Sequence, residues 1–256
     1  MSIWTSRAAL RAGLLACLSG LAACMPGQEA TQTAPNGAVV ALMSGPPAAL
    51  THQDPIPAAA AAQTDGKTTT RPDGPPPTRM ALAQGKVIVA GPKGFCIDRA
   101  ASIERTMTTS LVVLSSCAAL GAGLFAPRPD VPAMLTAAIA PTPGPDAIDR
   151  AGPQLTGYFT SEKGRAALSR SGDPTSLVVI DSFEAADAFV LHLRDRAPFP
   201  GGSVQPEYWR AILTTGGRMV TVSAYSVADR PLAPDIGRAL LMEFVSSLRL
   251  ATAKGL

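Results

Sequence analysis

Residues 208–227 read YWRAILTTGGRMVTVSAYSV. Two runs rich in β-branched and aromatic residues flank Gly216-Gly217, and such a glycine pair supplies the positive φ angles of a tight turn. The stretch is therefore a β-hairpin, and its neighbours extend the pattern. Downstream, Pro234-Asp235 opens a helix to about Leu250: proline tolerates the first helical position, and an acid there complements the dipole. Ile236, Leu240, Phe244 and Leu248 recur on one face, with Ala239, Leu241 and Val245 widening it. Upstream, residues 176–183 (SLVVIDSF) form a continuous apolar strand. In residues 188–194, Phe189, Leu191 and Leu193 alternate with Val190, His192 and Arg194, the period of a strand.

Earlier segments are weaker but of the same kind. A short helix is expected over residues 155–168, where Glu162, Lys163 and Arg165 stand among apolar residues. Strands are expected at residues 94–98 (GFCID), 111–117 (LVVLSSC) and 133–140 (AMLTAAIA), with a short apolar run at 87–89. Together these describe an α+β domain: an antiparallel sheet with two or more helices packed on one face. The order of Gly94-Phe95-Cys96-Ile97-Asp98, long strands, Tyr208-Trp209-Arg210, Gly217-Arg218 and a closing amphipathic helix is similar to PsbP/Mog1-like domains over residues 94–250. That resemblance is one of pattern, and the Pro-rich residues 127–145 depart from it. It implies a non-catalytic accessory module.

The start of the chain has a different character. Residues 1–11 carry Arg7 and Arg11 and no acid, and residues 12–23 are uncharged and mostly apolar. This is the charged-then-apolar layout of a secretory signal, too short for a stable membrane span. It ends in Leu21-Ala22-Ala23-Cys24, which resembles the lipobox of bacterial lipoproteins. The resemblance implies cleavage before Cys24 and diacylation of its thiol, so that palmitate-class chains hold the protein on a membrane. Two or more chains anchor firmly where one gives marginal binding. Met25, in place of the Asp that commonly retains such proteins at the inner membrane, implies the periplasmic face of the outer membrane.

Residues 24–84 contain no aromatic residue, few charges, and many Pro, Ala, Thr, Gly and Gln. Such a segment cannot bury enough apolar surface to offset its ordering entropy. It is expected to be a disordered tether with a typical reach of roughly 45 Å. The sequence thus divides into signal (1–23), tether (24–84) and domain (85–256). With Cys17 in the signal and Cys24 lipidated, Cys96 and Cys117 remain, and in an oxidising compartment they are expected to pair as a disulfide.

Composition excludes several classes of function. The chain has 22 basic and 19 acidic residues, and removing Arg7 and Arg11 with the signal leaves 20 basic. A nearly neutral chain lacks the basic face that nucleic acid needs. Residues 120–126 (LGAGLFA) match G-x-G-x-x-A formally, but Pro127, Pro129 and Pro132 forbid the helix a dinucleotide site requires, so no nucleotide or other cofactor is expected. No metal site is expected either, because the only histidines are His52 and His192 and no dense carboxylate loop occurs.

No catalytic residue stands out. His192 is the one credible base, without a G-x-S-x-G elbow. The carboxylates Asp181, Asp187 and Asp195 sit at strand ends or turns. The best candidate binding surface is Tyr208-Trp209-Arg210, since aromatics and arginine are favoured at recognition hot spots. Alternation, however, sets Trp209 on the opposite strand face from Tyr208 and Arg210. The expectation is a lipid-anchored binding or accessory module with a protein or cell-wall partner in the envelope. The alternative is a hydrolase of an envelope polymer.

Overall fold

The Gly216-Gly217 hairpin lies inside a large sheet. Both glycines adopt positive φ (57° and 67°), and a Cβ on Gly216 would stand 1.9 Å from the carbonyl oxygen of Lys86. Only glycine fits there, for conformation and for space. The computed structural model describes residues 74–123, 125–144, 152–199 and 204–255. The signal, Cys24 and residues 25–73 lie outside the described residues.

The elements run β1 (Arg79–Leu82), β2 (Val87–Ala90), β3 (Phe95–Ile103), β4 (Ser110–Ser116), β5 (Ala133–Pro143), α1 (Gly152–Thr160), α2 (Glu162–Leu168), β6 (Leu177–Ala185), β7 (Ala188–Asp195), β8 (Val204–Thr215), β9 (Arg218–Val227) and α3 (Pro234–Lys254). Seven strands form one sheet in the order β3-β4-β5-β9-β8-β7-β6, and every neighbouring pair is antiparallel. Two meanders, β3-β4-β5 and β6-β7-β8-β9, therefore meet along β5 and β9. The segment that joins them carries α1 and α2. β1 and β2 form a separate hairpin.

Both faces of the sheet are covered, which corrects the expectation of helices on one face. Leu240, Leu241, Phe244, Val245 and Leu248 of α3 pack with Val190, Trp209, Ala211, Val222, Leu135 and Leu114 on the first face, together with Leu82, Val87 and Val89 of the β1-β2 hairpin. On the second face, Leu155 and Phe159 of α1 and Leu168 of α2 pack with Phe189, Leu191, Leu193, Tyr208, Ile212 and Tyr225. The physical reason is visible in β7, where residues of both parities are buried. A strand read as alternating Phe/Leu against Val/His/Arg carries two apolar faces, and each needs a cover.

Other boundaries shift for local reasons. β1 falls inside the segment read as tether, because Leu82 is buried against the core once β2 pairs with it. The single helix expected over residues 155–168 is two. Ser161 stands between them in extended conformation, and its Oγ accepts the Gly164 N–H at 3.1 Å as the N-cap of α2. In α3, Leu240, Phe244 and Leu248 are buried as expected, but Ile236 is 41% exposed and Ala239 is exposed. Gly237 takes the inward position instead.

Cys96 and Cys117 are disulfide-bonded and buried. Cys96 lies opposite Ser115 in the β3-β4 ladder, and the Cys117 amide donates to the Gly94 carbonyl at 2.9 Å. The bond staples the outermost strand β3 to the end of β4.

Candidate functional site

Strand β8 sorts its side chains between the two faces, and Tyr208, Trp209 and Arg210 are divided accordingly. Trp209 joins the cluster under α3. Tyr208 joins the cluster under α1 and α2, and Arg210 stands beside it with its guanidinium 5.2 Å from the Tyr208 ring centre. The three residues do not make one patch. They belong to two sites.

The first site is set by the β7-β8 register, which places His192 opposite Trp209. The imidazole and indole stack with ring centres 4.1 Å apart and planes within 5°. Phe183 approaches the indole edge-on at 6.1 Å. One step along, Arg194 lies opposite Glu207 and donates to Glu207 Oε2 from Nη2 at 2.6 Å and from Nε at 3.2 Å. The other carboxylate oxygen, Oε1, lies 2.9 Å from His192 Nε2. The Arg194 hydrogen bonds are the largest of the causes that hold the Glu207 carboxyl below its usual range; burial opposes them, and charges on His192 and Arg194 add to them. Glu207 is thus an anion already matched by its neighbours.

Above these side chains the chain turns from β9 into α3. Arg230 donates its amide to the Val227 carbonyl at 3.0 Å, and the Leu232 amide donates to Ser226 Oγ at 3.2 Å. The turn delivers Ala233 and Pro234 over the strands and borders a solvent-open cleft of about 180 Å³. Its lining includes His192, Glu207, Trp209, Ala233, Pro234 and Gly237. Gly237 is required by close approach: a Cβ there would meet Trp209 Cδ1 at 2.9 Å and Nε1 at 3.3 Å. Trp209 is only 7% exposed, yet its Nε1 has no hydrogen-bond partner. His192 Nε2 faces the Glu207 carboxylate at 2.9 Å and is engaged by it. A second cavity, of about 240 Å³, lies along β3 between residues 74–76 and 97–100. Its carboxylate, Asp98, already accepts the Ala100 and Ala101 amides, which leaves that cavity chemically quieter.

The second site is a buried polar cluster on the opposite face. Asp195 has no exposed surface and accepts from the Arg170 amide (2.8 Å), the Ala197 amide (2.9 Å) and Ser176 Oγ (3.0 Å). Arg170 lies against Phe199 and Tyr208, and Arg210 donates to Ser223 Oγ at 3.1 Å and Tyr225 Oη at 3.4 Å. Burial pushes the Tyr208 hydroxyl well above the ordinary tyrosine value, and that hydroxyl has no partner. The cluster locks the β7 end and the α2-β6 turn together.

The remaining acids are apart from both sites. Asp181 lies opposite His192 in the β6-β7 ladder but is exposed. Asp187 sits at the β6-β7 turn, where Arg249 of α3 donates to its carboxylate at 3.0 Å and its carbonyl at 2.8 Å. No two of Asp181, Asp187 and Asp195 converge on one cavity. Among the described residues, no group of three or more His, Cys, Asp or Glu side chains is placed to hold a metal ion. Likewise, no helix there is long and apolar enough to cross a membrane. No protein-family model and no curated protein matches the chain. Sequence reading singled out His192 and Trp209 separately and missed Glu207. The only available signal was cross-strand register, which ties the three together and is not written in any one strand.

Proposed function

We propose that this chain is a bacterial envelope lipoprotein, anchored through lipid on Cys24, whose α+β domain binds another envelope component. The observation that carries the reading is Leu21-Ala22-Ala23-Cys24 at the end of an uncharged apolar run behind two arginines. The Cys96–Cys117 disulfide supports it independently, because such bonds persist in oxidising compartments such as the periplasm. Met25 favours the periplasmic face of the outer membrane. Residues 24–84 act as the tether that lets the domain search near the membrane, with β1 at its far end belonging to the domain. The similarity in element order to PsbP/Mog1-like domains supports an accessory rather than catalytic role.

The hydrolase alternative draws on the cavity that holds His192 and Glu207. Cleavage of a glycosidic bond in the two-acid manner needs a second carboxylate several ångströms away, and Glu207 is already neutralised by Arg194. A binding site is the better description. In-cell crosslinking followed by capture tests the proposal, with wild type compared to Cys24→Ser. One specific envelope partner, captured by the anchored chain and depleted with Cys24→Ser, is the expected result. No specific partner from the anchored chain would overturn the binding role.

A further inference from the structure

We propose that the loop between β4 and β5 docks on the anionic surface of a lipid bilayer, with Phe125 entering the interface. Residues 120–126 (LGAGLFA), excluded as a nucleotide site by the prolines that follow, fall in this loop. The Ala126 amide donates to the Gly123 carbonyl at 3.2 Å, a tight reversal of the chain that includes Phe125. Tight turns normally hold Gly, Pro, Asn, Asp or Ser. Phe125 is instead 100% exposed, whereas every other phenylalanine in the chain is buried or half-buried.

The loop is braced at both ends. Cys117 is bonded to Cys96, and its carbonyl accepts the Ala122 amide at 3.0 Å. On the return limb the backbone of Arg128 and Pro129 lies so close to Gly94 that a Cβ there would stand 2.3 Å from the Pro129 nitrogen. This bracing holds a large apolar side chain out in solvent, clear of both hydrophobic clusters. An exposed aromatic flanked by basic residues is the chemistry of interfacial membrane contact.

Two observations select a bilayer as the partner. The first is where the chain leaves the domain. Gly74, the first of the described residues, lines one cleft with Leu120 of this loop, so the chain toward Cys24 departs from beside it. The proposal rests on the lipoprotein reading: lipid on Cys24 makes the contact an intramolecular one, and a contact too weak to hold free protein then suffices. The second is charge. Lys93, which precedes the glycine pressed on Arg128, is exposed, as are Arg128 and Arg99, the last in the shared cleft. These three cations stand against two acids, Asp98 and Asp130, and basic residues near an anionic leaflet add attraction. Met107, 85% exposed in the β3-β4 connection, lies at the opposite end of β4 and gives an internal control.

Full-length mature protein carrying Phe125→Trp is reconstituted into vesicles of phosphatidylethanolamine and phosphatidylglycerol, with and without bromine on the upper acyl carbons. Met107→Trp is the matched variant, and both changes fall at exposed positions. Trp209 is the only other tryptophan after residue 23 and is buried, so it adds the same background to each. Bromine should quench the added emission at position 125 about twofold more than at position 107, with a blue shift. Lys93→Glu with Arg128→Glu should remove about half of that excess. Flotation of the wild type with the vesicles reads the anchor separately. A chain that does not float overturns the lipoprotein reading and this docking with it. A chain that floats but shows equal quenching at the two positions, the result if Phe125 serves a protein partner instead, overturns the docking alone. An excess untouched by the charge reversal would overturn the anionic surface as the partner.

Discussion

The two faces of the sheet solve different problems. The α3 face is sealed by one long helix and a hairpin, and its buried surface is almost entirely apolar. At the start of α3, His192 Nε2 faces Glu207 Oε1 at 2.9 Å and Trp209 Nε1 has no partner, and near its end Thr252 bonds the Ile88 backbone. The other face is sealed by two short helices that pack against β6, and it buries a carboxylate whose bonds are nearly all made. Toward β3 and β4 a disulfide provides the constraint instead. Each face nevertheless keeps a buried polar atom without a partner, Trp209 Nε1 on the first and Tyr208 Oη on the second. One face is thus held chiefly by apolar packing, the other by packing around a buried carboxylate that its neighbours satisfy.

Removing packing should separate the faces most strongly. Phe244 has no exposed surface and sits within the α3 cluster, so Phe244→Ala is expected to cost about 4 kcal/mol, the middle of the range for buried aromatics. Urea unfolding measures it, and a cost near that of a surface change would mean α3 does not seal its face. The disulfide comes next: reduction, or Cys96→Ser with Cys117→Ser, should cost about 3 kcal/mol for a loop of this length. Thermal unfolding with and without reductant reads the loss directly. Equal stability in both conditions would show that β3 needs no staple. Asp195→Asn should cost about 2 kcal/mol by leaving buried donors poorly matched. Retention of full stability would contradict the closed polar cluster on the second face.

The smallest effect concerns Glu207. Its folded pKa is below the ordinary glutamate value of 4.5, so it contributes stability above that value and loses it as pH falls through the folded value. Glu207→Gln should flatten part of the acid limb of stability. Asp173, held low chiefly by the Thr175 amide, keeps a remainder in place. Unfolding midpoints measured from neutral pH down through the carboxylate range test this, and an unchanged acid limb would place the Arg194–Glu207 contact outside the stability of the fold.

Strands and helices were largely legible from sequence because β-branched runs, the Gly216-Gly217 pair and the Pro234-Asp235 start are local signals. The disulfide partners followed from compartment and elimination. Covering on both faces was not legible, since it depends on where the β5-to-β6 connection crosses. Nor was β1 legible: Arg79–Leu82 becomes a strand only when β2 pairs with it. Gly237 in place of Ile236 on the inner side of α3 reflects the bulk of Trp209, a partner 28 residues away. Glu207 entered the site through register alone. Tyr208, Trp209 and Arg210 kept the alternation their order implies, and the site that resulted uses one of them.

Everything about where the domain works rests on Cys24. The most direct measurement is the intact mass of the mature protein extracted from membranes. The expected result is a chain that begins at Cys24 and carries acyl mass, lost together with membrane association in Cys24→Ser. An unacylated mature chain, or a Cys24→Ser protein that stays on membranes as before, would contradict it.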